Sequence, residues 1–230
     1  MRIIPIAIAL TTLLTANAID LKHYEVRVDD FSEIKVTDGI NVDYRQSADS
    51  AGMAVFNCEP EMVSSVLLSS SGRKLTVQLS PESIGRKGLP RVTVYSRYLT
   101  KAINSGDSML RILSVAPGPK FEASLEGNGR LVVRDIHATE IKGTVKFGHG
   151  SMILNGECEK AGFNSAGAGV IEADGLKAAD ITVKAVGTGS VGVWATQQLS
   201  IYGTGATTVF YRGTPTIKKS ALGIKLSQIP

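Results

Sequence analysis

Gly-x-Gly recurs five times in the second half of the chain: Gly127-Asn128-Gly129, Gly148-His149-Gly150, Gly167-Ala168-Gly169, Gly187-Thr188-Gly189 and Gly203-Thr204-Gly205. The first glycines stand 21, 19, 20 and 16 residues apart. A period near twenty marks a repeat architecture, in which one unit cannot bury its apolar face without its neighbours. Apolar residues follow at the fourth and sixth positions after each first glycine: Leu131 and Val133, Met152 and Leu154, Ile171 and Ala173, Val191 and Val193. In the last unit those positions hold Thr207 and Val209. Such alternation puts one set of side chains on a single face of a strand. A second strand is expected in each full unit, with inward residues at Ile141 and Val145, Phe163, Ile181 and Val183, and Leu199 and Ile201.

Short strands between glycine corners, with no helical pattern, describe an all-β parallel solenoid. One rung buries a few apolar side chains, each worth about 1.5–3 kcal/mol. Ordering its twenty or so residues costs about 1–2 kcal/mol apiece for the backbone. A single rung therefore cannot stand, and only a stack is stable.

The same glycines raise a competing reading. Gly187, Gly189 and Gly192 fall in the spacing G-x-G-x-x-G of a dinucleotide-binding loop. Such a loop sits between a strand and a helix, with an acid about twenty residues on. Here the chain continues VWATQQLSIYGTG, another strand pair and another corner, and Gly192 occupies a position held by Val132, Ile153 and Glu172 in earlier units. No nucleotide cofactor is expected. The corner residues between glycines are Asn, His, Ala, Thr and Thr. They lack the aspartates of calcium-binding β-rolls, so no metal is expected either.

The chain opens MRIIPIAIALTTLLTANAID, with one basic residue, an apolar stretch and Ala16-Asn17-Ala18 as a small-x-small cleavage site. This predicts an export signal over residues 1–18, too short to span a membrane, with no cysteine after it to accept a lipid. The protein is thus expected in the periplasm, at the cell surface or secreted. Loss of Arg2 lowers the net charge from +4 to +3, and the cations are scattered. That excludes a nucleic-acid groove and leaves a weak preference for anionic partners. No later run is long and apolar enough for a transmembrane segment. Cys58 and Cys158 are the only cysteines; a lone pair is no disulfide framework, and two separate buried thiols are expected.

Before the first Gly-x-Gly corner the strands YEVRV, SEIKV, INVDY, MAVFN, SVLLS, KLTVQL, RVTVY and MLRIL alternate without a fixed period, and CEPEMVSS has room for one helical turn. The Pro/Gly loop SVAPGPK, residues 114–120, marks the passage to regular rungs. The expected layout is one solenoid over 19–230: irregular strands over 19–113, Gly-x-Gly rungs over 121–215 and a C-terminal cap over 216–230.

Phe31-x-x-Ile34-x-Val36-x-Asp38-Gly39-Ile40-Asn41-Val42, LTKAINSGDS (Leu99 to Ser108), the Gly-x-Gly series and YRGTP (Tyr211 to Pro215) together resemble the auto-transporter adhesin head, or GIN, domain family. The resemblance covers roughly residues 24–225. It implies a right-handed parallel β-helix in a Gram-negative envelope, with no established activity and no catalytic residues to carry over.

Few residues of the chain carry a chemical signal. His149 reads as a turn residue, His23 lies near the mature start and His137 opens a link between strands. None has a metal-like partner at close spacing. Cys158 is placed at the register of Ile136 and Leu176. Seven residues after each first glycine, the outward column is expected to read Arg134, Asn155, Asp174, Trp194 and Phe210. One acid and one base two rungs apart do not make a catalytic pair. Trp194 and Phe210, with Tyr211, instead form a candidate binding platform, unless the C-terminal segment covers them. The expected function is a non-catalytic, adhesin-like binding scaffold of the cell envelope, with a glycan or protein partner. A pectinase-like polysaccharide enzyme and an envelope lipid-binding protein are the alternatives.

Overall fold

The computed structural model describes residues 21–230, so the expected export signal lies outside the described residues. All strands join one 17-stranded sheet wound into a β-solenoid. In chain order they are β1 (Lys22–Arg27), β2 (Glu33–Val36), β3 (Val42–Gln46), β4 (Met53–Cys58), β5 (Val66–Ser71), β6 (Lys74–Leu79), β7 (Val92–Ser96), β8 (Lys101–Asn104) and β9 (Met109–Ile112). Then follow β10 (Gly118–Glu126), β11 (Arg130–Lys146), β12 (Ser151–Gly167), β13 (Val170–Gly187), β14 (Ser190–Gly205), β15 (Thr208–Arg212), β16 (Thr216–Leu222) and β17 (Lys225–Gln228). Each expected N-terminal strand is present, and CEPEMVSS holds a 3₁₀ turn at Pro60–Ser65. The four-residue β8 is an addition: its inward residues are Ala102 and Asn104, which give no apolar alternation in the sequence.

Two parallel ladders run the length of the stack. The first orders β7, β3, β9, β11, β12, β13, β14, β15 and β17; the second orders β6, β2, β8, β10, β11, β12, β13, β14 and β16. From β11 to β14 a single long strand serves both ladders by bending. The β2–β3 coil lies between β6–β7 and β8–β9: Ile34 faces Leu75 on one side and Ala102 on the other. Spatial neighbours in this half are therefore distant in sequence, which is why no period is readable there. Antiparallel pairings of β1 with β4, β4 with β7 and β5 with β6 close this end of the stack.

The inward columns are stacked aliphatics. Leu131, Met152, Ile171, Val191 and Val209 form one, and Ile141, Ala161, Ile181 and Leu199 another, all buried. Phe163 is the largest fully buried side chain of these long strands and needs room. A Cβ on Gly143, its register partner, would lie 2.8 Å from the Phe163 ring. Size alternation between adjacent coils thus fills the core without strain.

The glycine corners are one continuous column. Gly187 has φ 134°, and a Cβ there would overlap the carbonyl oxygen of Gly167 beneath it. The Gly39-Ile40-Asn41 motif belongs to the same column: a Cβ on Gly106 would overlap the carbonyl oxygen of Asp38. Asparagines bind the turns here. Asn41 Oδ1 accepts from the Met109 amide at 3.0 Å, and Asn104 Nδ2 donates to the Ser108 and Arg130 carbonyls at 2.8 and 3.0 Å.

One corner differs from the sequence expectation. Gly187 is in register with Gly205, whereas Gly203 faces Ala185. The last corner is therefore 18 residues on, and Gly223, another 18 on, stacks over Gly205. The reason is a shortened turn on the third side of the solenoid. Residues 174–176 bulge from β13 between Ala173 and Lys177, while Val193 and Trp194 are consecutive in β14. Accordingly Val209 and Tyr211, not Thr207 and Val209, continue the inward positions of Val191 and Val193. Thr207 sits in the corner and donates its hydroxyl to the Gly187 carbonyl at 3.1 Å.

Candidate binding surface

Trp194 projects from the outward face of β14, toward the C-terminal end of the first ladder. Its register partners are Lys177 below and Arg212 above, and both cations lie over the indole, at 5.8 and 5.3 Å from the ring centre. Phe210 does not stack on Trp194 as the spacing implied; its register partner is Gly192. It shares the outward face diagonally and is partly exposed. Tyr211 points the other way, packs against the core and donates its hydroxyl to Gln228 Oε1 at 3.5 Å. The structure thus brings Trp194 together with Arg212 and Lys177, leaves Phe210 beside it, and assigns Tyr211 to the stack end. The variable third-side turn displaces the outward column: Asn155 faces Gly175, and Asp174 falls within the bulge.

The arrangement is rigid because every member stands on paired backbone. Arg212 is further held by its Nε donating to the Pro230 carbonyl at 2.8 Å. A cation from each neighbouring coil lies over the indole, so the ring is flanked by positive charge. Such a cluster suits an anionic or π-rich partner. Two acids share the neighbourhood. Glu172 accepts from Ser151 Oγ at 3.1 Å, and a Cβ on Gly192 would lie 3.4 Å from Asp174 Oδ1. Glu172 escapes a reading confined to the seventh position after each corner, since it stands on the fifth.

Residues 216–228 add a further coil in register on both ladders. Two of its inward positions, Lys219 and Gln228, are polar, beside the apolar Ile217 and Leu226. Lys219, in register with the buried Ile201, donates to the Ile224 carbonyl at 2.6 Å, and Gln228 donates to the Gly213 carbonyl at 2.9 Å. Polar groups that bind the turns suit the last described coil of a stack.

The Gly187–Gly192 loop makes no phosphate cradle. Thr188 and Ser190 donate their amides to the Gly167 and Gly169 carbonyls of the coil below, so these donors are already engaged. His149 lies in its corner, with its amide bound to Asn128 Oδ1 at 3.1 Å. His137 bonds Asp135 at 3.1 Å, and His23 bonds Asn57 at 2.8 Å, both on the surface. No group of three or more His, Cys, Asp or Glu among the described residues is placed to hold a metal. Cys58 and Cys158 are both free thiols. Cys158 faces Ala138 and Ala178, two residues from the expected register, because the turn before it differs in length. It is half-buried, and burial pushes its thiol up to about 12.

A charged cluster sits at the other end of the first ladder. Asp43 is nearly buried on the outward side of β3, between Arg91 and Arg111, with oxygen–nitrogen distances of 2.9 Å to Arg91 and 2.7 Å to Arg111 Nε. Burial alone raises a carboxyl, but the Arg111 hydrogen bond and the two guanidinium charges outweigh it and hold Asp43 below its ordinary range. Both arginines belong to strands paired with β3, or to the residue before one, so the cluster ties three coils together.

Among solved structures, the chain is similar to a putative adhesin from Bacteroides fragilis, with TM-score 0.80 and 20% identity, covering 91% of this chain and 97% of that one. It is also similar to a putative lipid binding protein from Parabacteroides distasonis, with TM-score 0.70 and 18% identity over 91% and 97% of the two chains. A putative adhesin from Parabacteroides merdae gives TM-score 0.67 and 19% identity over 91% and 96%. At these identities the likeness concerns the fold. No curated protein matches the chain. The family described as "Putative auto-transporter adhesin, head GIN domain" matches residues 30–215, and the chain belongs to that family.

Proposed function

We propose that the protein is an exported, non-catalytic binding module of the cell envelope, and that the outward face around Trp194 is where it holds a partner. One observation carries this reading: Trp194 is clamped in register between Lys177 and Arg212 on a rigid outward sheet face. A fixed cation–indole–cation column loses little side-chain entropy on binding, which favours affinity from a small area. Phe210 extends the surface on the same face. The charge selects a partner with carboxylate or other anionic groups, an acidic envelope glycan or an acidic protein loop. The adhesin-family membership supports binding as the task.

The test is an array of envelope glycans and proteins probed with the mature chain. Binding without turnover is expected, weakened at least about fivefold by Trp194→Ala or Arg212→Ala, the loss of roughly 1 kcal/mol each for a cation–π pair. Unchanged binding in both variants contradicts the assignment of the surface.

A second reading, a polysaccharide-active enzyme, draws on Glu172 and Asp174, two carboxylates beside the same face. Product release from acidic polysaccharides that disappears in Glu172→Gln would replace the first reading. The exported state is tested by N-terminal sequencing of the protein recovered from the envelope fraction. A mature start after Ala18 is expected.

A further inference from the structure

The solenoid edge between the two ladders carries a pattern that the Trp194 face does not use. Register aligns Lys146, Ala166, Val186, Thr204 and Leu222 in one outward column over five successive coils. Phe147 follows Lys146 at the corner. Leu222, Phe147 and Val186 are 77%, 73% and 61% exposed, a higher exposure than that of any other large hydrophobic described. They stand two coils apart, about 10 Å at the usual strand spacing, so three apolar points line one edge. Tyr202, also exposed, lies in the next column between Lys184 and Ser220.

Phe147 is the most informative of the three. Its φ is +56°, a conformation that bulky L-residues seldom adopt, at a corner where Gly127, Gly167, Gly187 and Gly205 take positive φ in neighbouring coils. An exposed aromatic ring kept where glycine fits better points to a use outside the fold.

The charges are segregated as well. In the same five coils, residues 142–151, 162–170, 182–190, 200–208 and 218–225 contain no Asp or Glu. They carry Lys142, Lys146, Lys184, Lys218, Lys219 and Lys225, of which Lys219 points inward, while all seven carboxylates that follow Arg130 lie outside this strip. Lys184 and Lys218 stand at outward positions beside the apolar points, in register with uncharged residues, whereas Lys142 and Lys146 face Glu122 and Glu126 of the coil before.

We infer that this edge docks onto the surface of an anionic lipid bilayer. Phe147, Val186 and Leu222 enter the boundary between headgroups and acyl chains, Tyr202 sits at headgroup level, and the lysines meet lipid phosphates. A soluble polyanion uses the lysines but gains little from three protruding apolar side chains, so the combination selects a membrane. The solenoid axis then lies along the bilayer. This surface is separate from the Trp194 face, and each stands or falls on its own test.

The experiment is sedimentation of the mature chain with vesicles of phosphatidylcholine alone and with about one-third phosphatidylglycerol. Binding to the anionic vesicles is expected, and it weakens as salt rises. Phe147→Gly combined with Leu222→Ser is expected to lower binding at least about tenfold. Because glycine suits the backbone at residue 147, this variant keeps or raises its melting temperature, which separates lost docking from lost folding. Lys184→Glu with Lys218→Glu is expected to lower binding by a similar factor. Equal binding to neutral and anionic vesicles, or none to either, overturns the inference. So does full binding by the Phe147/Leu222 variant. Polygalacturonate binding that depends on the lysines but not on Phe147 or Leu222 also overturns it, in favour of an acidic glycan.

Discussion

The two ends of the solenoid solve the same problem with different chemistry. Toward the N-terminal end, outward charges on the second ladder alternate from coil to coil: Lys74, Glu33, Lys101, Glu122, Lys142 in spatial order. Lys101 and Lys120 reach Glu122 at 3.8 and 2.8 Å, and the Lys120 hydrogen bond holds Glu122 below its ordinary range. Opposite charges facing across a ladder help fix register. Coils that stack out of chain order need such help, because no repeating interval brings them together. Toward the C-terminal end the coils stack in the order they are made, and beyond Asp180 the chain has no acid at all. There shape does the work, through glycine corners and aliphatic columns.

The largest expected effect tests the shape-driven half. Gly187→Val places a side chain against the Gly167 carbonyl at a left-handed backbone position. Urea unfolding should show a loss of about 4 kcal/mol or more, combining overpacking with backbone strain. Gly162 is the counterpart: its Cβ would meet nothing within 4 Å, and no left-handed φ is required. Gly162→Ala should leave stability unchanged or raise it by up to about 1 kcal/mol. Equal losses at both sites would show that glycine is needed for a reason other than corner geometry.

The charge-tied half is probed at Asp43. Asp43→Ala leaves two guanidinium groups unpaired and should cost about 3 kcal/mol by urea unfolding. The carboxyl is depressed in the fold, so its contribution is complete above the ordinary value near 3.8 and is lost as pH falls through the lower folded value. Wild type should therefore lose stability more steeply than the alanine variant in that acid window. Parallel pH curves would deny the cluster its role. A smaller effect is expected at the last described coil: Lys219→Ala frees the Ile224 carbonyl and should cost about 1 kcal/mol.

Thiol chemistry gives a further contrast without a stability change. Cys158, with its thiol pushed up to about 12, should resist iodoacetamide at pH 8 in the folded protein and react on unfolding. Rapid labelling of the native protein would contradict the burial assigned to it.

What the sequence disclosed follows from the same division. The glycine period and the inward aliphatics exposed the C-terminal coils because sequence neighbours there are spatial neighbours. The stacking of β2–β3 between β6–β7 and β8–β9 was hidden, since alternation identifies strands but not partners. The placement of the residues around Trp194 was half legible. Trp194 and Phe210 do share an outward face, but counting from the corner failed across the third-side turn, whose length differs between β13 and β14. Arg212 over the indole was missed for that reason. Phe147 carried no sequence signal as an aromatic beside a glycine pair; only its φ and exposure distinguish it.

The in-register stack of the C-terminal coils underlies the whole account and can be measured directly. Thr144, Asn164, Lys184, Tyr202 and Ser220 form one outward column. Spin labels at Thr144→Cys and Ser220→Cys, with Cys58 and Cys158 replaced by alanine, are therefore four coils apart. Pulsed dipolar spectroscopy should return one narrow distance distribution centred at about 19 Å. A broad distribution, or a centre beyond about 30 Å, would contradict the stacked coils and every surface built on them.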